Sequence, residues 1–74
     1  MNDSVYRVIE LIGSSSESWE MAAQNAVKLA SKSYPDLRVA EVVEMDVLIE
    51  NGTVIAYRTK LRLSFKSTEE TPHS

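Results

Sequence analysis

Glu44-Met45-Asp46-Val47-Leu48-Ile49-Glu50-Asn51-Gly52-Thr53-Val54-Ile55-Ala56-Tyr57-Arg58 is the stretch whose reading decides the fold. Asn51-Gly52 between two apolar runs is the strongest short-range signal for a two-residue type I′ hairpin loop, whose central residues both need positive φ. Glu50 then pairs with Thr53. Counting outward sets Ile49 against Val54, Leu48 against Ile55, Asp46 against Tyr57, Met45 against Arg58, Glu44 against Thr59 and Glu41 against Arg62. In that register one sheet face carries Val39, Val43, Val47, Ile49 and Val54, while the other carries Val42, Leu48, Ile55, Leu61, Leu63 and Phe65. Both faces of the hairpin therefore ask for an apolar cover.

Outward from the hairpin, the chain supplies one helix. Trp19, Ala22, Ala23, Ala26, Val27 and Ala30 recur at helical spacing as a single stripe, and their small side chains suit close approach to a sheet. Ser14 with Glu17 fits a capping box, and Ser16 would put Glu17 and Glu20 in the first turn, so either serine can start the helix. Pro35 stops it near Tyr34. Before it, Val5 to Ile12 reads as a first strand ended by Gly13; after it, a long strand from about Arg38 leads into the hairpin. The order is β-α-β-β, an α+β fold with a three-stranded antiparallel sheet wrapped around one helix. The helix stripe is expected to bury Trp19 and the alanines against the odd-numbered face of the last strand. The opposite face is left for another subunit.

The chain has 74 residues, no cysteine and a net charge of -3. It reads as one domain over residues 1–66 and a polar, disordered tail over 67–74. A core this small usually needs disulfides, a metal or partner subunits, and without cysteine self-association is the expected support. No apolar run is long enough to span a bilayer, and Met1-Asn2-Asp3-Ser4 has no signal-peptide character, so a cytoplasmic protein that does not engage a membrane is expected. Arg58, Lys60, Arg62 and Lys66 form a basic row, but it faces an acidic strand and has no interleaved aromatics, which argues against a nucleic-acid partner. His73 is the sole histidine and the serines have no base beside them, so no enzyme is expected.

Glu44 and Asp46 lie two residues apart on one strand, hence on one face, and two carboxylates can begin a calcium site. Calcium takes six to eight oxygens, so symmetry-related copies or waters must supply the rest. Glu41 and Glu50 are further candidates. The alternative is that these acids pair with Arg58, Lys60 and Arg62, with Glu41 opposite Arg62 the clearest case, or are simply solvated.

Val5-Tyr6-Arg7-Val8-Ile9-Glu10-Leu11-Ile12-Gly13-Ser14-Ser15, Ser18-Trp19-Glu20, Glu41-Val42-Val43-Glu44-Met45 and Ile49-Glu50-Asn51-Gly52 with Tyr57 resemble the dodecins, over nearly everything from Val5 to Lys66. The resemblance implies a hollow spherical homododecamer. It also implies a capacity to hold flavins such as riboflavin or FMN, stored rather than turned over, with Val39, Met45 and Arg58 at the flavin-site positions. Flavin-binding dodecins are similar to one another in a Trp-Phe-Glu-Val segment, whose Trp stacks on the isoalloxazine, and in a Tyr-Gln pair. Here those positions read Val39-Ala40-Glu41-Val42 and Tyr57-Arg58. By analogy with base stacking, losing the aromatic platform forfeits about 1–3 kcal/mol, roughly one to two decades of affinity. Ser18-Trp19-Glu20, Arg38-Val39-Ala40, Glu44-Met45-Asp46, Tyr57-Arg58 and Ser64-Phe65-Lys66 instead resemble the branch described as calcium dodecins, which implies a bound cation.

Overall fold

The computed structural model describes residues 5–66, which run β1 (Tyr6–Ser15), α1 (Trp19–Ser33), β2 (Leu37–Glu50) and β3 (Thr53–Lys66). The strands form one antiparallel sheet in the order β1-β3-β2, so the last strand is central and the fold is the expected β-α-β-β. The tail expected over 67–74 lies outside the described residues. Among those described, no helix is long and apolar enough to cross a membrane.

The turn is as read: Asn51 at φ 53 and Gly52 at φ 75 give the positive pair that a type I′ loop requires. The register beyond it is corrected. Glu50 faces Thr53 and Ile49 faces Val54, but Leu48 then faces Ala56, because Ile55 is an extra residue in β3. Asp46 consequently faces Arg58, Met45 faces Thr59 and Glu44 faces Lys60. An extra residue in β2, Val43, restores the expected count, so Val42 faces Leu61 and Glu41 faces Arg62. Each bulge slips the ladder by one residue, and a slip of one exchanges the two faces. Met45, Val47 and Ile49 therefore lie on the helix side, and Glu44, Asp46 and Leu48 on the outer side.

Ala26 and Ala30 form the core with Leu61 and Leu63, and Ala22, Thr59 and Phe65 are buried as well. Burying Leu61 and Leu63 completely stabilises the fold by about 2–3 kcal/mol apiece. Gly13 lies inside β1 and does not end it: a Cβ there would run into the carbonyl of Ala22 and reach within 3.0 Å of the Ala26 Cβ. Since β1 continues to Ser15, the helix cap also moves downstream. Ser18 is the N-cap, its side chain accepting from the Met21 N–H at 3.0 Å, while the Ser15 hydroxyl accepts from the Glu17 N–H at 2.9 Å. The helix ends as expected, with Tyr34 as C-cap before Pro35. Tyr34 stacks on Phe65 at 4.7 Å.

α1 covers β1 and β3 and scarcely reaches β2. Its 15 residues span about 22 Å, against about 46 Å for a 14-residue strand. The hairpin tip projects beyond it, in a molecule 59 × 20 × 14 Å in extent. Apolar side chains stay uncovered on both faces: Val8, Ile12, Val39 and Leu48 outside, and Val42, Met45 and Ile49 on the helix side.

Candidate functional site

On the outer face the basic row of β3 runs between two acidic flanks. Arg58 donates to Asp46 through two bonds of 2.7 Å, Nε to Oδ1 and Nη2 to Oδ2, the bidentate fork that a guanidinium offers a carboxylate. Glu10 of β1 takes Arg62 at 3.2 Å and Lys60 at 3.9 Å. The expected Glu41–Arg62 pair is present at 3.6 Å, so Arg62 is shared between both flanking strands. Glu44 faces Lys60 across the ladder but makes no ion pair among the described residues. These pairs are exposed, and ion pairs this open contribute little to stability.

The side-chain hydrogen bond from Arg58, reinforced by its charge, holds the Asp46 carboxyl below its ordinary value, and the same bond raises Arg58. From the helix side, the Trp19 indole Nε1 donates to the backbone carbonyl of Asp46 at 3.0 Å and meets the Tyr57 ring edge-on at 5.1 Å. The Thr59 hydroxyl donates to the Trp19 carbonyl at 3.0 Å, which satisfies a buried polar group. Asp46 is thus gripped from both faces of the sheet.

Val39 and Arg58 share the outer face, as read, but six residues of strand separate Arg58 from Ser64, the partner of Val39, or roughly 20 Å. Met45 lies on the other face, opposite Thr59. A single chain therefore does not gather Val39, Met45 and Arg58 into one pocket. Val39 borders a cleft of about 140 Å³, well below the few hundred Å³ of ordinary small-molecule sites. Glu10 was missing from the sequence reading, whereas the pairing of Asp46 with Arg58 was among its alternatives but not in its register. The signal for the fork was there: one slip of register brings two acids of β2 opposite two bases of β3.

Glu44 and Asp46 do fall on one face, pointing away from the helix. Among the described residues no three His, Cys, Asp or Glu side chains cluster to hold a metal ion. The two carboxylates amount to part of a hard-cation shell, one of them already engaged by Arg58.

A family model described as dodecin matches residues 5–68. A Mycobacterium tuberculosis protein named calcium dodecin is 48% identical over 69 residues, 93% of this chain and 97% of that one. The crystal structure of calcium dodecin from that species, described as a calcium-chelating immunodominant antigen with a novel calcium-binding site, matches with a TM-score of 0.80. It is 47% identical and covers 95% of this chain and 100% of its own. Dodecin from Streptomyces coelicolor matches with a TM-score of 0.87 at 34% identity, covering 95% of this chain and 100% of that chain.

Proposed function

The chain belongs to the dodecin family, and from that premise we propose that it is a self-assembling binding protein of the calcium type. The observation that carries this reading is the outward pair Glu44 and Asp46, in a chain 48% identical to a protein named calcium dodecin. Carboxylate oxygens on an exposed strand suit a hard divalent cation. Two from one subunit are too few for calcium, so the site depends on copies or waters to complete the shell.

Assembly into a homododecamer is part of the same proposal. A small domain without disulfides leaves Val39 and Ile49 57% and 63% exposed on opposite sides of one hairpin. A groove of about 620 Å³ between β1 and the end of α1, lined by Ile9, Leu11, Leu29 and Tyr34, adds further uncovered apolar area. Dodecins are not an enzyme class, and the action proposed is equilibrium binding.

The test is thermal shift and equilibrium dialysis of chelator-treated protein with calcium, magnesium, riboflavin and FMN. Calcium at 100 times its dissociation constant raises the stability of the folded assembly by about 2.7 kcal/mol if it binds only that state. Saturable calcium binding without a flavin response supports the calcium reading. Flavin binding without a calcium response overturns it in favour of a flavin-holding dodecin that tolerates Val39 and Arg58. Silence toward all four leaves a structural shell.

A further inference from the structure

Resting on the calcium reading above, we propose that Arg58 is a built-in competitor for the Asp46 carboxylate and so sets the affinity of the chain for a divalent cation. Both oxygens of Asp46 accept from one guanidinium at 2.7 Å. A cation that draws on Asp46 has to share those oxygens with a positive charge or displace it, and either opposes binding. The fork is nonetheless displaceable, because Arg58 and Asp46 are 37% and 49% exposed and pairs this open are weak.

The neighbouring carboxylate has no such guard. Lys60, which faces Glu44 across the ladder, reaches instead to Glu10 on the other side. An arriving cation meets Glu44 first, and Asp46 joins when Arg58 swings away. The strand holds still during that exchange, because Trp19 clamps the Asp46 carbonyl from the opposite face. The bulge at Ile55 places Arg58 across from Asp46; in an unbroken ladder from the turn, Tyr57 would stand there.

Calcium alone is the probe, followed by equilibrium dialysis on chelator-treated, assembled protein. Arg58→Gln is expected to bind up to about fivefold more tightly than the unaltered chain. Arg58→Lys, which keeps the charge and loses the fork, is expected to fall between them, and adding Asp46→Asn to Arg58→Gln cancels the gain. If Arg58→Gln does not assemble, Arg58→Lys decides by the same criterion. Affinity equal to or weaker than that of the unaltered chain overturns the role of Arg58, while binding by the unaltered chain keeps the calcium reading. Absence of saturable calcium in every variant removes the calcium reading itself, and this inference with it.

Discussion

The indole Nε1 of Trp19 donates a 3.0 Å hydrogen bond to the backbone carbonyl of Asp46, whose carboxylate holds Arg58 on the other side of the sheet. The first residue of α1 thereby fixes the strand segment that carries the candidate cation ligands. Trp19, expected to be buried with the alanines, is 39% exposed, and its contacts with Tyr57 and the Asp46 carbonyl position the site.

Trp19→Phe keeps an aromatic ring against Tyr57 and deletes the donor. The loss is expected to be about 1 kcal/mol, the usual net worth of one such hydrogen bond. A lowered midpoint in chemical denaturation with unchanged slope would show it; an unchanged midpoint would mean that the bond contributes nothing.

Two glycine substitutions should separate close approach from backbone strain. Gly13→Ala drives a methyl into the Ala22 carbonyl, so the helix must lift, at about 1–3 kcal/mol for overpacking. At Gly52 a Cβ meets nothing within 4 Å, and the penalty is that of a left-handed residue, about 1–2 kcal/mol. Gly13→Ala should therefore also disturb the tertiary signal of Trp19 in near-ultraviolet circular dichroism, whereas Gly52→Ala should leave it intact.

The legible part of the fold was the part written in local chemistry. Asn51-Gly52 announces its own turn, the alanine stripe announces a helix that sits close to a sheet, and Pro35 marks its end. The bulges at Val43 and Ile55 have no such marker, since a valine and an isoleucine inside strands look like ordinary ladder residues. The one at Ile55 moves Asp46 from Tyr57 to Arg58 and Glu44 from Thr59 to Lys60, and the one at Val43 ends the slip. Cross-strand charge complementarity favours that arrangement. Ser18 was missed as the cap because Gly13 was read as a strand end, when its missing side chain serves the contact with Ala22.

Acid should weaken the chain partly through Asp46. The Arg58 hydrogen bond lowers the folded-state pKa below the ordinary 3.8, so the unfolded chain takes up this proton first as pH falls. The stabilisation is full above about pH 5, and is lost as pH drops through the lowered folded value. Asp46→Asn should remove this share of the acid limb, narrowing the gap to the unaltered protein as thermal unfolding is followed from about pH 6 to pH 2. A gap that stays constant over that range would contradict the pairing.

The uncovered faces should bring copies together. Light scattering coupled to size exclusion is expected to give a mass of about 100 kDa, twelve copies of an 8.3 kDa chain. A monomer at micromolar concentration would contradict the assembly, and with it the completion of any cation shell by neighbouring subunits.

Calcium dialysis of the unaltered protein beside the double variant Glu44→Gln with Asp46→Asn bears most directly on the central claim. The prediction is saturable calcium uptake by the unaltered assembly and its loss in the double variant, with both eluting at the same size. Equal calcium uptake by the two would contradict the assignment of these carboxylates, and uptake by neither would contradict the calcium reading altogether.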